Sequence, residues 1–228
     1  MDVYAVIPAR GGSKRIKRKN IKSFAGKPLM AWSIDAAINS NCFKKIIVST
    51  EDKEIASIAK KYGAEVPFVR PEKLSDDYAT SLDVIKHAAN WIQNKYKTNC
   101  LVCLIYPTAA LLKKDDLEKS LKLFIHHKMK KIVFSATKYT FPVQRALFLN
   151  KFGQTKMFYP EYFNHRSQDL KDAFHDAGQF YWGTSEIWKH TFDVYEESFP
   201  YILPSWRVQD IDNPSDWERA EIIHKLME

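Results

Sequence analysis

Short apolar runs and amphipathic stretches take turns from the N-terminus to Thr137, and this alternation leaves the chain very few architectures. Val3–Pro8, Lys45–Ser49, Glu65–Val69, Leu101–Tyr106 and Lys131–Thr137 are rich in Val, Ile and aromatic residues, the composition of strands. Between them, Leu29–Asn39, Asp52–Tyr62, Ser81–Lys97 and Asp115–His127 carry the i, i+3, i+4 apolar spacing of helices. In the second of these, Ile55, Ile58, Ala59 and Tyr62 share one face, and Gly63 follows as a stop signal. Strand–helix repetition of this kind requires right-handed crossovers between parallel strands. The expected fold class is therefore α/β, a mostly parallel sheet flanked by helices. Ligands in such sheets bind beyond the carboxyl ends of the strands, near a topological switch point. The first of those ends is Pro8-Ala9-Arg10-Gly11-Gly12-Ser13-Lys14.

The rhythm breaks after Thr137. From Lys138 to Tyr181 aromatics and turn signals replace helical spacing, which reads as a hairpin of Leu147–Phe148 against Thr155–Phe158 followed by an irregular lid. Strand patterns return at Gly178–Thr184 and Trp206–Ile211. Pro214–Met227 closes the chain as a helix, with Asn213 as N-cap and Pro214 in its first turn. The expectation is one domain, residues 1–228, with residues 138–170 as an inserted arm.

Composition narrows the class further. Of 228 residues, 45% are hydrophobic and 14% aromatic, too many for a disordered or low-complexity chain. Surface scaling gives roughly 10,700 Å² for the folded chain against roughly 38,600 Å² unfolded, enough burial for one large core. The longest apolar runs fall far short of a membrane span, and the N-terminus opens on a strand pattern without a basic leader, so a soluble, cytoplasmic protein is expected. The formal charge of +8 suits an anionic ligand, a nucleic acid or an acidic surface. Much of it lies in Lys14, Arg15, Lys17, Arg18, Lys19 and Lys22, which keeps a basic nucleic-acid-binding protein as the rival from another class. Cys100 and Cys103 form a C-x-x-C, but three positions along a strand put them on opposite faces, and no second pair completes a metal site.

Three groups of residues point to chemistry. Gly11 and Gly12, directly behind the first strand, let the backbone approach an anion without Cβ interference. Arg10 and Lys14 add fixed positive charge, and the spacing is neither that of a Walker loop nor G-x-G-x-x-G, so a triphosphate cradle of another kind is expected. In Val208-Gln209-Asp210-Ile211-Asp212 the two aspartates share one strand face, while Ile211 turns to the core. Paired carboxylates beside phosphates are what Mg²⁺ takes, with phosphate and water completing its shell. Last, the lid holds Arg145, Arg166, His165, His175, Asp176, Gln179 and Tyr181, of which Arg, Gln and Tyr together suit an acidic, hydroxylated, amide-bearing ligand, while His165 or His175 alone is more often a hydrogen-bonded turn residue than a catalytic base.

These residues also resemble a known family. The segments IPARGGSKR, RKN, AGKPL, VSTED, RPEKLSDD, and DID before the last helix are similar, in that order, to the sugar-acid cytidylyltransferases of the CMP-sialic acid synthetase type. Within that family, FPVQRAL, RSQDLKDAFHDAGQFYWG and RVQDIDNPSDWERAE resemble the branch acting on pseudaminic acid, with the branches acting on sialic or legionaminic acid as the alternatives. The resemblance implies a nucleotidyltransferase fold and transfer of CMP from CTP to the anomeric hydroxyl of a nine-carbon sugar acid. It further implies Mg²⁺, release of pyrophosphate, a homodimer and a role in surface or flagellar glycan synthesis. By the same resemblance, Arg10, Gly11, Gly12, Ser13, Lys14, Lys19 and Asn20 hold CTP, with Arg70 and Ser81 at its base and ribose side. Asp210 and Asp212 bind metal, and Arg145, Arg166, Gln179 and Tyr181 lie at the sugar acid. Arg10, Lys14, Lys19 and the two aspartates carry catalysis, stabilising charge on the leaving pyrophosphate. Tyr106-Pro107-Thr108-Ala109-Ala110 stands where the sialic acid enzymes carry Q-P-T-S-P.

Overall fold

The computed structural model describes residues 1–76 and 78–227. Along the chain run strand β1 (Val3–Pro8), the two-residue strands β2 (Ser23–Phe24) and β3 (Lys27–Pro28), helix α1 (Leu29–Asn39), β4 (Lys45–Ser49) and α2 (Lys53–Lys61). Then come α3 (Ser81–Tyr96), β5 (Leu101–Ile105), α4 (Lys114–His126), β6 (Val133–Lys138), β7 (Leu147–Leu149) and β8 (Thr155–Met157). The last elements are β9 (Phe174–Thr184), α5 (Ser185–His190), β10 (Phe199–Leu203) and α6 (Pro214–Met227).

Local chemistry sets the helix ends. Asp52 caps α2 by accepting from the backbone N–H of Glu54 and Ile55, and Gly63, at φ +90°, turns the chain away beyond it. Thr80 and Asp83 exchange hydrogen bonds in a capping box at the start of α3. Asn213 and Asp216 do the same for α6, each accepting from the other's backbone N–H at 3.0 Å, as the Asn213-Pro214 signal implies.

Six strands form the main sheet in the order β10-β6-β9-β5-β1-β4. β1 runs parallel to both β4 and β5, and β6 parallel to β10; β9 alone is reversed, antiparallel to β5 and β6. The sheet is therefore mixed and mostly parallel. α1, α2 and α4 bury Met30, Ile34, Ile55, Leu117 and Phe124 against one face, and α3 and α5 bury Ile85, Ala88, Ile92 and Trp188 against the other. Cys103 joins the first cluster and Cys100 the second, as the spacing of three predicts, and both are free thiols. A smaller cluster of Ile16, Phe24, Leu29, Ile211, Trp217 and Ala220 fastens α6 to the loop behind β1.

Three expectations need correction. Glu65–Val69 is not a strand: it makes only isolated bridges, Glu65 to Ile47 and Val69 to Thr50, and Pro67 between them has no N–H to extend a ladder. Trp206–Ile211 is not one either; Ser205–Arg207 is a 3₁₀ turn, and the strand is Phe199–Leu203, at the sheet edge where Pro200 is tolerated. The irregular lid ends earlier than expected, because β9 begins at Phe174. Its register breaks opposite Ser135, where Gly178 takes φ +60° and the buried Ser135 hydroxyl accepts from the N–H groups of Gln179 and Phe180.

The hairpin β7–β8 pairs Leu147 with Met157 and Leu149 with Thr155, close to the expected register. It stands away from the core, with Leu147, Leu149, Phe152, Phe158 and Phe163 all more than half exposed. The described chain exposes 12,805 Å² in all, about a fifth above the roughly 10,700 Å² of a compact monomer of this mass.

Candidate active site

Successive strands leave β1 in opposite directions, β4 on one side and β5 on the other, so the switch point lies between β1 and β5. A cleft of about 430 Å³ opens at their carboxyl ends. One wall is the loop behind β1, with Arg10, Ser13, Lys14, Arg15, Lys19 and Asn20. Arg70 and the start of α3, with Thr80 and Ser81, form a second; Tyr106, Pro107 and Thr108 behind β5 form the floor. Asp176 and Gly178 of β9, and Asp210 and Asp212 ahead of α6, complete it.

The loop behind β1 is held from below. Asn20 is buried and its side-chain amide donates to the Arg10 carbonyl at 2.9 Å, so it braces the loop. The Gly11 N–H donates to Glu51 Oε1 at 2.7 Å, and a Cβ on Gly11 would lie 2.6 Å from Asp52 Oδ2. Only glycine fits there, for contact with α2's cap. The expectation that both glycine N–H groups face an anionic ligand is corrected for Gly11, whose N–H is taken by Glu51. Gly12 has open space around it. The basic stretch is divided rather than forming one patch. Lys14, Arg15 and Lys19 line the cleft, Arg18 turns back onto Asp52 and Glu54, and Lys22 lies over the Trp217 ring.

Asp210 and Asp212 reach the cleft without a strand. Ile211 between them is fully buried beside Phe24 and Trp217, which forces its two neighbours outward. Asp212 Oδ1 pairs with Arg15 at 2.8 Å and lies 3.4 Å from Lys19 Nζ, and Lys19 also donates to the Ile211 carbonyl. The pKa of Asp210 is raised from its ordinary value, chiefly because crowding by the cleft removes part of its hydration and secondly because Asp212 repels its charge. Burial likewise lowers the pKa of Arg70, to about 10, so it remains a cation; its guanidinium donates to the side chain and carbonyl of Ser49. Among the described residues, no three His, Cys, Asp or Glu side chains converge to hold a metal by themselves.

Of the residues singled out from sequence, Arg10, Ser13, Lys14, Lys19, Asn20, Arg70, Ser81, Asp210 and Asp212 line this one cleft. Gly11, Gly12, Arg145, Arg166, Gln179 and Tyr181 are not in its lining. Arg145 and Arg166 are exposed on the arm, where Arg145 donates to the His165 carbonyl. Gln179 and Tyr181 are buried in β9; Tyr181 lies in the cluster with Tyr4, Val102 and Leu104 and donates its hydroxyl to Asp176. Arg15 and Thr108 are cleft residues that carried no role in the sequence reading. Arg15 was legible as part of the basic stretch, and Thr108 as part of the segment that stands where the sialic acid enzymes carry Q-P-T-S-P.

Comparison with known proteins gives the family. The family model described as Cytidylyltransferase matches residues 4–150. The chain is 46% identical, over 99% of its length and 97% of the relative's, to a pseudaminic acid cytidylyltransferase of Campylobacter jejuni subsp. jejuni serotype O:2. It is 33% identical, over 100% of its length and 97% of the relative's, to a CMP-N,N'-diacetyllegionaminic acid synthase of Legionella pneumophila. A solved structure of CMP:2-keto-3-deoxy-manno-octonic acid synthetase complexed with CTP covers 100% of both chains with a TM-score of 0.73 at 13% identity, a likeness of fold alone. With two-thirds of its sheet and its basic loop inside the matched region, and a full-length relative at this identity, the chain belongs to the cytidylyltransferase family.

Proposed function

We propose that the protein transfers CMP from CTP to the anomeric hydroxyl of a nine-carbon sugar acid, with pseudaminic acid preferred, and releases pyrophosphate. The observation that carries this reading is the meeting, in one cleft, of the basic loop behind β1 with Asp210 and Asp212. The reaction forms a bond between the sugar hydroxyl oxygen and the α-phosphorus, releases the hydroxyl proton, and breaks the bond from that phosphorus to the oxygen leading to the β-phosphate. Negative charge grows on the departing pyrophosphate, and fixed cations in a partly water-excluded cleft stabilise it better there than in the ground state. Arg10, Lys14 and Lys19 are those cations in this reading. Arg70, rigid and buried at one end, and Ser81 flank the nucleoside.

The donor set suits a divalent cation such as Mg²⁺. Asp210 and Asp212 would hold it, and its charge would offset the repulsion from Asp212 that is the second cause, after loss of hydration, of the raised Asp210 pKa. Two protein carboxylates are also all that such an ion takes when phosphate and water fill its shell. Bound there, it adds Lewis-acid polarisation of the phosphoryl group.

Arg145 and Arg166 lie outside the cleft of their own chain, so a role on the sugar acid requires the arm of a second copy to cover it. The apolar side chains exposed on that arm favour such a homodimer. Cytoplasmic action follows, in this reading, from the use of CTP. Pyrophosphate release measured over four nucleotides and a panel of nine-carbon acids tests the whole reading. CTP with pseudaminic acid is expected to lead; equal rates with ATP or GTP would overturn it.

A further inference from the structure

Asp176 is the cleft residue with the most elaborate support and no role in the chemistry above. Its Oδ2 accepts from two phenol hydroxyls, that of the buried Tyr181 and that of Tyr195 at 3.0 Å, and its Oδ1 accepts from the Gly178 N–H at 2.8 Å. The first tyrosine is five residues on in β9, and the second comes from the separate segment between α5 and β10. Phe134 stacks on Tyr181 and meets the Tyr195 ring edge-on, so the clamp is itself fixed in place. Three donors aligned on one carboxylate hold it in a single orientation at the cleft wall.

The clamp fills Oδ2 and leaves Oδ1 one lone pair for another donor. That donor is not a metal-binding neighbour: Asp176 forms no metal-sized cluster with other His, Cys, Asp or Glu residues among those described. Nor is it a phosphate, which an anion repels. Two other walls are already accounted for, the basic loop by phosphates and the α3 end by the nucleoside. Asp176 lines the same cleft as Tyr106, Asp210 and Asp212, so it belongs to the same reaction space as the aspartate pair.

Building on the cytidylyltransferase reading, we propose that Asp176 is a specificity-determining residue: its clamped carboxylate accepts a hydrogen bond from an N–H or O–H of the acceptor sugar acid. A fixed acceptor of this kind selects acids that present a donor at that point and rejects those that leave its lone pair empty in the closed site.

The test is steady-state pyrophosphate release by the full-length protein, with CTP and pseudaminic acid varied in turn. For Asp176→Asn the expected result is a sugar-acid KM at least tenfold higher, with the CTP KM and kcat within about threefold of the parent. Tyr195→Phe removes one exposed clamp and leaves the carboxylate, so it is expected to raise the same KM by about threefold; it stands in should Asp176→Asn fail to fold. An unchanged sugar KM overturns the proposal. A fall in kcat alone, which marks a proton acceptor, overturns it, as does a rise in the CTP KM or a matching loss in both substrates with a lowered Tm. If the unaltered protein turns over no nine-carbon acid, the cytidylyltransferase reading itself fails and takes this one with it; if it does and only the variants behave as the parent, Asp176 alone is misassigned.

Discussion

The guanidinium of Arg207 grips the carboxylate of Asp116 through two parallel hydrogen bonds of 2.7 Å, and the two side chains are only 8% and 5% exposed. The pair ties the first turn of α4 to the chain just ahead of Asp210 and Asp212, so it positions the aspartates from outside the cleft. Planar bidentate geometry of this kind is open to Arg but not to Lys. Asp116→Ala is expected to cost about 3–5 kcal/mol, because it strands a buried charge. Urea unfolding checks this, and the double variant Asp116→Leu with Arg207→Met should recover part of the loss. A single variant as stable as the parent would show that the pair holds nothing.

Asp210 carries a trade between stability and chemistry. Its native pKa lies above that of the unfolded chain, so the native state binds its proton more tightly and loses stability as pH rises through the interval between the two. Asp210→Asn removes that loss. The variant should melt higher than the parent at neutral pH, with the difference closing in acid where the parent's Asp210 is protonated. Its kcat should fall on the order of 10²-fold, with altered magnesium dependence, and Asp212→Asn should match that fall. Near-normal turnover in the double variant would remove both residues from the site.

Gly11 and Gly12 are adjacent yet respond to different constraints. Gly11→Ala drives a methyl into Asp52, the cap of α2 and partner of Arg18, and is expected to cost about 1–3 kcal/mol. Gly12→Ala meets open space and should stay within about 0.5 kcal/mol of the parent. Thermal melts of the two variants, with the CTP KM measured alongside, separate a bracing glycine from one whose Cβ position is open. Equal destabilisation would mean the loop is held differently.

The arm predicts the oligomeric state. Light scattering at micromolar concentration should return about twice the chain mass of 26.6 kDa. Leu149→Asp with Phe152→Asp, both on exposed apolar positions of the β7–β8 hairpin, should shift it to the single-chain mass and lower activity. A fully active single-chain species in the unaltered protein would remove the dimer.

Much of this molecule is decided within short stretches of sequence. A helix declares itself by its apolar face and its cap, as Asp52 with Ile55 and Ala59 do for α2, and Asn213 with Asp216 do for α6. The loop behind β1 could be located because a parallel sheet leaves strand carboxyl ends open, and the nine cleft residues from Arg10 to Asp212 follow from that rule and the resemblance. Tertiary structure decided what depends on partners far along the chain. Strand direction is one case: nothing within Phe174–Thr184 says that it enters the sheet reversed between β5 and β6, or that Ser135 will satisfy its bulge. The edge strand Phe199–Leu203 is another, since it buries little and carries a proline, and only pairing with β6 makes it a strand. The aspartates reach the cleft because Ile211 has a pocket to fill, and Asp176 acquires its clamp because Tyr195 arrives from a different segment. Periodicity and capping are local energies that a stretch of sequence carries with it, whereas ladder partners, buried ion pairs and clamped carboxylates exist only after distant segments have met.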